Sequence, residues 1–297
     1  MKITFIGFGN MASIIVKAAA DKRVFSMANI VVSSPRLRDG RKKCPYNVAE
    51  SNVEAVNGSD IVVLATKPPE ITNVCNDIKH AIAKNTLIVS IAAGTPFSTI
   101  ACALENKDIP IIRAMPNTAL AEGEGMTGLC KNAFVTVAQE QIVIDLFSAA
   151  GQVVSVDIED DLNKVTALSG SGPAYFYEIQ IAMIEKAKQL GFSDAIAQKL
   201  VTQTMLGAAK VSVNSPLGLV ERRDQVTSKG GTTAAALAKF RELNLSETLE
   251  AGIDAAYERA RELSQLQEGA SQKPFFFNVC KAASQEPSTL KQPSAFK

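Results

Sequence analysis

Short apolar runs alternate with amphipathic stretches along the first half of the chain. The runs long enough to form buried strands are residues 2–6, 30–32, 61–65, 87–91 and 110–113. After the first of them, residues 10–20 carry apolar side chains at helical spacing. Strands that alternate with helices are typical of βαβ units, in which helices cover both faces of a parallel sheet. The pattern therefore predicts a doubly wound α/β domain over residues 1–157.

The pattern changes after a last strand-like run at residues 153–156. From about residue 160 onward, alanine, leucine and glutamate recur with a spacing of 3.6 residues, which predicts an all-α domain over residues 158–282. Two of its helices, 173–190 and 193–213, are apolar over much of their circumference and need burial on more than one side. We therefore expect a homodimer that shares these helices. Residues 283–297 contain two prolines and no periodicity, and they are expected to form a disordered tail.

Composition excludes several classes of function. The chain has 31 Lys and Arg against 30 Asp and Glu, so nothing favours a nucleic-acid or membrane partner. A single histidine, His80, and five scattered cysteines argue against a metal site or a histidine-dependent triad. Cysteines in this arrangement do not indicate a secreted disulfide scaffold, and neither a signal peptide nor a membrane span is recognisable. A cytoplasmic protein is expected.

A glycine-rich turn lies where the first strand meets the first helix. Its sequence is Gly7-Phe8-Gly9-Asn10-Met11-Ala12, a GxGxxA version of the dinucleotide-binding fingerprint. Such a turn lets backbone N–H groups and the helix N-terminus face a pyrophosphate. We therefore assign Gly7, Gly9, Asn10 and Met11 to a cofactor site in a Rossmann-like domain.

The end of the second strand bears on which cofactor binds. No Asp or Glu stands there to bind a ribose 2′-hydroxyl, whereas Ser34 and Arg36 suit a 2′-phosphate. NADP is therefore expected to be the preferred cofactor. The alternative is a solvated loop in which Arg36, Arg38 and Arg41 serve only solubility.

Three further loops follow predicted strands at the same edge of the sheet. They contribute Ala65, Lys67 and Pro68 after the third strand, Ala93 after the fourth and Asn117 after the fifth. Ligands of open α/β sheets bind outside the carboxyl ends of the strands. Together with the glycine turn, these loops predict a crevice for a long cofactor.

Two glycine-containing segments stand out in the helical half. The first, residues 169–175, reads S-G-S-G-P-A-Y and precedes a helix with proline at its start, which favours a functional role, with a flexible link and helix cap as the alternative. The second contains Ser228, Gly230, Gly231, Thr232 and Thr233 at the start of an alanine-rich helix. Glycines followed by threonines at a helix start offer free N–H groups, a positive dipole end and hydroxyls, which predicts an anion-binding nest.

The motifs taken together resemble those of the pyrroline-5-carboxylate reductases. The matching segments, in order, are G-F-G-N-M-A (7–12), T-K-P (66–68), M-P-N-T (115–118), L-S-G-S-G-P-A-Y (168–175) and T-S-K-G-G-T-T (227–233). The resemblance extends from residue 1 to about residue 267, and the two helical-half motifs are its specific part. One departure is Lys229, where members often carry proline.

The resemblance implies NAD(P)H-dependent reduction of 1-pyrroline-5-carboxylate to L-proline, the last step of proline synthesis. Ser228, Gly230, Gly231, Thr232 and Thr233 would bind the substrate carboxylate, and the hydroxyl of Thr233 would be the catalytic group at the ring nitrogen. It further implies an interlocked dimer, in which the nest of one subunit serves the cofactor of its partner, and assembly of some members into decamers. NADH stays possible as the cofactor.

Two rival functions remain open at this level. A β-hydroxyacid dehydrogenase shares the two-domain plan, but it would require a lysine about four residues after the helical-half glycine motif, where Phe176 stands between Tyr175 and Tyr177. The other rival is a non-catalytic dinucleotide-binding dimer. The sequence also does not separate pyrroline-5-carboxylate from a piperideine analogue.

Overall fold

The computed structural model describes residues 1–40 and 43–271. Its first half contains one eight-stranded sheet. The strands are β1 Ile3–Ile6, β2 Ile30–Ser33, β3 Asn47–Val48, β4 Ile61–Leu64, β5 Leu87–Ser90, β6 Ile111–Pro116, β7 Gly125–Lys131 and β8 Gly151–Ser155.

The strand order is β3-β2-β1-β4-β5-β6-β7-β8. Strands β1 to β6 are mutually parallel, β7 runs antiparallel to β6, and β8 is parallel to β7. The chain winds outward from β1 in both directions, which creates a switch point between β1 and β4 where ligands of such sheets bind. The predicted Rossmann-like, doubly wound domain is confirmed.

Helices cover both faces of the sheet. They are α1 Asn10–Asp21, α2 Pro35–Arg38, α3 Asn52–Val56, α4 Ile71–Ile78, α5 Phe97–Ala103 and α6 Val137–Ser148. Alternate residues of each central strand enter two separate cores: Val63 of β4 packs with α1 and α6, and its neighbours Val62 and Leu64 pack with α4 and α5. Burial on both faces explains why the parallel strands are apolar throughout.

The described chain is helical from residue 161 onward. Its helices are α7 Asp161–Val165, α8 Gly172–Gln189, α9 Asp194–Asn214, α10 Leu219–Gln225, α11 Thr232–Glu242 and α12 Leu245–Ser271, with a π-helical turn at Thr166–Gly170 between α7 and α8. The predicted all-α second half is confirmed over these residues. Among the described helices, none combines the length and the apolar character that crossing a lipid bilayer requires.

Two compact units divide the chain. Among the described residues, the first contains 1–40, 43–166 and 259–271, and the second contains 167–258. The first unit therefore extends beyond residue 157 and regains the end of α12. The functional assignment of the segments 1–157 and 158–282 stays a prediction, and the expected tail at 283–297 lies outside the described residues.

Some strand predictions need correction. The fifth predicted strand, 110–113, is observed as β6 from Ile111 to Pro116, so Ala114, Met115 and Pro116 belong to the sheet and not to the following loop. Strands β3 and β7 were not predicted. Strand β3 has only two residues, and β7 contains Gly125 and Gly128, which do not favour a strand.

The long helices of the second unit expose large apolar side chains. On α8 and α9 these include Phe176, Ile181, Met183, Ile196 and Leu200, each 45–59% exposed. A patch of this kind on an isolated chain indicates a protein interface. It agrees with the dimer that the sequence predicts.

Candidate active site

The predicted cofactor residues gather at the carboxyl edge of the sheet. The N–H of Gly7 donates to the carbonyl of Ser33 at 2.8 Å, and the N–H of Ala65 donates to that of Ile6 at 2.8 Å. The same pattern continues to β5, where the N–H of Ile91 donates to the carbonyl of Leu64. The ends of β2, β1, β4 and β5 therefore lie side by side, and the loops that follow them share one edge.

The glycine turn has two glycines with different requirements. Gly7 has a left-handed φ of +92°, and a Cβ there would lie 2.5 Å from the carbonyl oxygen of Ala65. Gly9 has φ −78°, and a Cβ there would meet no protein atom within 4 Å. Gly7 thus allows the turn to pack closely against the backbone of Ala65, whereas the lack of a side chain at Gly9 leaves the space in front of α1 open.

Helix α1 begins at Asn10 without a side chain to cap it. Gly9 is its N-cap residue, and the first turn contains no acidic residue. The first N–H groups of the helix, including those of Asn10 and Met11, thus lie beside the open space that Gly9 leaves. A dinucleotide pyrophosphate fits these features, because such N–H groups and the helix dipole attract a phosphate.

The predicted 2′-phosphate residues Ser34 and Arg36 differ in exposure. Ser34 is buried and its carbonyl accepts the N–H groups of Leu37 and Arg38, whereas the side chain of Arg36 is exposed. A residue that sequence reasoning missed lies closer to the strand: Nη1 of Arg38 donates to Oγ of Ser33 at 3.0 Å. The single turn of α2, which brings Arg38 back to the end of β2, was the signal that could have identified it.

The remaining cofactor candidates lie in the loops after β4, β5 and β6. Lys67 is exposed and precedes a 3-10 turn that starts at Pro68, and Ala93 is half-buried. Asn117 is buried, and its Oδ1 accepts the N–H groups of Ala119 and Met126, each at 3.2 Å. The amide oxygen of Asn117 thus shapes the loop that follows β6.

The predicted substrate residues lie in the second unit, at the start of α11. Gly230 has a left-handed φ of +72°, and Gly231 is the N-cap residue of the helix. A Cβ on Gly231 would collide with Oγ of Ser228, whose carbonyl also accepts the N–H of Gly231 at 3.0 Å. Gly230 is therefore needed for its left-handed φ, and Gly231 leaves room for the side chain of Ser228 in this tight turn, which leads directly into the helix.

Helix α11 presents an uncapped N-terminus. No side chain caps it, its first turn has no acidic residue, and Thr232 is exposed while Thr233 is half-buried. The exposed cation Lys229 stands in the same turn. N–H groups, hydroxyls and a positive dipole end at one place favour an anion such as a carboxylate.

The other glycine motif of the second unit surrounds the π-helical turn. The hydroxyl of Tyr175 on α8 donates to the carbonyl of Ala167 at 2.9 Å, which ties α8 to that turn. Local π-helical turns are frequent at functional sites. The motif is thus a structured turn that Tyr175 holds, and not a flexible link.

Buried thiols offer no nucleophile. Burial raises the pKa of Cys75 to about 12 and that of Cys130 to about 11, so both are neutral at physiological pH. In the part of the chain that the structure describes, no three His, Cys, Asp or Glu side chains are grouped as a metal site would require.

Comparison with known proteins identifies the family. The family profile described as pyrroline-5-carboxylate reductase dimerisation matches residues 159–263, and that described as NADP oxidoreductase, coenzyme F420-dependent, matches residues 2–94. A pyrroline-5-carboxylate reductase of Pseudomonas aeruginosa is 38% identical over 89% of this chain and 97% of its own length. The chain belongs to the pyrroline-5-carboxylate reductase family.

Solved structures of the family agree with this assignment. The chain is similar to a pyrroline-5-carboxylate reductase from Coxiella burnetii, with a TM-score of 0.82, 38% identity, and coverage of 89% of this chain and 98% of the other. It is also similar to the Plasmodium falciparum pyrroline carboxylate reductase with NADP bound, with a TM-score of 0.80, 28% identity and the same coverage. The family resemblance predicted from the five motifs is confirmed.

Proposed function

We propose that this chain is an NAD(P)H-dependent reductase that converts 1-pyrroline-5-carboxylate to L-proline, the last step of proline synthesis. The observation that carries the proposal is the uncapped start of α11, where Gly230 and Gly231 form a tight turn beside Thr232 and Thr233. The N–H groups of that turn can bind an anion such as the substrate carboxylate. The relatives of this chain are named for the same activity.

The first unit would hold the cofactor. The turn at Gly7 and Gly9 and the start of α1 receive the pyrophosphate, and the loops containing Ala65, Lys67, Ala93 and Asn117 line the same edge of the sheet. When bound, NADPH supplies the hydride that reduces the imine carbon. Because the cofactor supplies the difficult step, the protein needs mainly to position the two rings.

The second unit would hold the substrate. The N–H groups at the start of α11, together with Ser228 and Thr232, neutralise the carboxylate of the substrate. The hydroxyl of Thr233 holds the ring nitrogen, which gains a proton as the imine becomes an amine. This division of work needs neither a histidine nor a metal ligand.

NADPH is the preferred cofactor in this proposal, and NADH is the alternative. A 2′-phosphate is favoured by Ser34 and Arg36, and by the lack of a carboxylate side chain from Ser33 to Arg38. A guanidinium matches a phosphate with paired hydrogen bonds, whereas an NAD site uses an acid at this place.

Assembly and compartment complete the proposal. A family profile for dimerisation covers residues 159–263, and the chain forms a homo-oligomer. We propose a homodimer in which the nest of one subunit serves the cofactor of its partner, with a decamer as a further level of assembly. A cytoplasmic location is supported by free thiols at Cys44, Cys75 and Cys130.

The deciding experiment is a spectrophotometric assay of NADPH oxidation with 1-pyrroline-5-carboxylate, with proline measured by mass spectrometry. We expect one proline for each NADPH consumed. A six-membered piperideine carboxylate tests ring size, and oxidation of β-hydroxyacids with NADP⁺ tests the rival dehydrogenase. Cofactor binding without any turnover would contradict the proposal and favour a non-catalytic dimer.

A further inference from the structure

A chain of hydrogen bonds connects three elements behind the end of β2. Nη1 of Arg38 donates to Oγ of Ser33 at 3.0 Å, and Oγ of Ser33 donates to Oδ1 of Asn52 at 2.6 Å. Nδ2 of Asn52 in turn donates to Oδ2 of Asp77 on α4 at 3.0 Å. The chain thus runs from a carboxylate on α4 to a guanidinium beside the cofactor edge.

The direction of every bond in this chain follows from Asp77. An ionised carboxylate only accepts hydrogen bonds, so the amide nitrogen of Asn52 must face it and the amide oxygen must face Ser33. The hydroxyl of Ser33 has one hydrogen, which it gives to that oxygen, and its own oxygen can then only accept. Arg38, which only donates, is the matching partner for it. Hydrogen bonds linked in this way strengthen one another.

The position of Ser33 places Arg38 next to the glycine turn. Ser33 is 1% exposed, and its carbonyl accepts the N–H of Gly7 while its hydroxyl accepts from Arg38. The same residue therefore anchors both the turn expected to face the pyrophosphate and the guanidinium. A buried anchor of this kind restricts the guanidinium to the end of β2.

The charge of Arg38 is uncompensated within the described residues. Its hydrogen-bond partner is the neutral hydroxyl of Ser33, and no described Asp or Glu forms an ion pair with it. A fixed guanidinium with donors to spare suits a phosphate monoester, which accepts paired, charge-assisted hydrogen bonds.

We propose that Arg38 is a specificity-determining residue for a 2′-phosphorylated dinucleotide and that Asp77 is its positioning residue, acting through Asn52 and Ser33. This inference rests on the proposed function for the identity of the cofactor. It assigns the main selectivity to Arg38, with Arg36, which is exposed, contributing less.

The test is isothermal titration calorimetry of the whole protein with NADP⁺ and with NAD⁺, which needs no turnover. Arg38→Gln should weaken NADP⁺ binding about 10-fold or more and change NAD⁺ binding less than 2-fold. Arg38→Lys should restore part of the NADP⁺ affinity, because it returns the charge without the paired donors. Arg36→Gln should have a smaller effect than Arg38→Gln.

Asp77→Asn tests the positioning role. The amide can face Asn52 with either atom and no longer fixes the direction of the chain, so NADP⁺ affinity should fall several-fold while thermal unfolding stays unchanged. Asp108→Asn is the matched control, since it removes the same charge at an exposed site before β6 and should alter neither affinity. Wild-type protein should also lose NADP⁺ affinity as the 2′-phosphate is protonated near pH 6, and Arg38→Gln should flatten that pH profile.

Three outcomes would overturn the inference. Equal losses for NADP⁺ and NAD⁺ in Arg38→Gln would make Arg38 a structural residue, and unchanged selectivity in Asp77→Asn would remove the positioning role. A larger loss in Arg36→Gln would transfer the selectivity to Arg36. Failure of the proposed reductase activity is distinguishable, because it would show in the turnover assay and leave the calorimetric selectivity intact.

Discussion

Gly7 packs so closely against Ala65 that a Cβ at Gly7 would lie 2.5 Å from the carbonyl oxygen of Ala65. The neighbouring atom belongs to the backbone of the β4 end and cannot rotate away. The left-handed φ of Gly7, +92°, adds a second obstacle to any side chain. The glycine turn is therefore locked to the strand beside it.

Substitution at the two glycines of the turn should separate folding from binding. Gly7→Ala should lower the unfolding temperature and abolish NADPH binding, because the turn must move. Gly9→Ala should leave the unfolding temperature unchanged, since its Cβ meets no protein atom, yet weaken NADPH binding by occupying the space in front of α1. Differential scanning calorimetry and fluorescence titration measure the two effects. Equal behaviour of the two variants would contradict this distinction.

The two threonines of α11 should differ in their effects on catalysis. Thr232 is exposed and its side chain does not cap α11, so Thr232→Ala should change the free energy of unfolding by less than about 0.5 kcal/mol and leave kcat unchanged. Thr233→Ala should lower kcat more than it raises KM, with a loss in kcat/KM of about 1–3 kcal/mol, and Thr233→Ser should keep most of the rate. Steady-state kinetics with varied 1-pyrroline-5-carboxylate measures this. A loss of kcat in Thr232→Ala alone would reverse the two roles.

The buried ion pair between Arg113 and Glu159 should matter for stability. Arg113 is 6% exposed, and Oε1 of Glu159 accepts both Nη1 of Arg113 at 2.8 Å and the N–H of Phe97 at 2.7 Å. Glu159→Gln leaves the charge of Arg113 uncompensated, so the free energy of unfolding should fall by about 2–3 kcal/mol. This decrease is smaller than that for breaking a fully buried ion pair, because Glu159 is partly exposed. Urea unfolding measures it.

Glu105→Gln provides the control for that measurement. Glu105 pairs with Lys79 at the surface, where the side chain of Glu105 is 44% exposed. Exposed ion pairs contribute little to stability, so the urea midpoint should stay unchanged. An equal decrease in both variants would show that burial of Arg113 is not the cause.

Assembly should control stability as well as the active site. Because the apolar side chains of α8 and α9 need a partner, the unfolding temperature should rise with protein concentration. If each active site is built from both chains, mixing a subunit with a substitution at Gly9 and a subunit with a substitution at Thr233 should restore part of the reductase activity. A folded, fully active monomer in sedimentation experiments would contradict the dimer.

Thiol reactivity tests the burial of Cys75. Burial raises its pKa from 9.0 to about 12, so at pH 8 the thiolate fraction falls from about 1 in 10 to about 1 in 10,000. Native protein should therefore label slowly with a thiol reagent at Cys75, and Cys75→Ala should not change the fast phase. The half-exposed Cys44 is the comparison, and Cys44→Ser should reduce the fast phase.

The same shift has a consequence for alkaline stability. The folded protein holds the thiol proton of Cys75 more tightly than the unfolded chain does. Its contribution to stability is complete below about pH 9 and is lost between about pH 9 and pH 12. Cys75→Ala should therefore reduce the decrease in stability over that interval, as pH-dependent urea unfolding can measure.

Sequence patterns predicted the central strands well because those strands are apolar on both faces. They missed β7, whose glycines are required by packing: a Cβ on Gly128 would lie 2.6 Å from a methyl carbon of Val165 on α7. The requirement for glycine at position 128 comes from Val165, a residue 37 positions further along the chain. It therefore leaves no periodic pattern in the sequence around β7. Strands were therefore predicted reliably only where burial on both faces makes nearly every residue apolar.

The candidate site shows the same limit. The glycine turn and the anion-binding nest were recognisable, and each contains one glycine, Gly7 or Gly230, whose left-handed φ admits few other residues. Arg38 and Asn52 were missed because their importance comes from a hydrogen bond chain that ends at Asp77, on another helix. Sequence spacing predicts which residues share an element, but not which polar groups meet across elements.

The return of α12 to the first unit affects how this protein can fold as it is synthesised. A Cβ on Gly94 would touch Leu263 at 3.4 Å, and Oγ of Ser264 donates to Oδ1 of Asn163 at 3.0 Å. The first unit is thus interrupted in sequence by the whole of the second. A ribosome must release the helical insertion and then the end of α12 before the first unit can be completed, so a chain that stalls near residue 258 carries a Rossmann-like sheet with a missing helical segment. The helical unit must emerge, and can begin to pair with another copy, while its host unit is still unfinished.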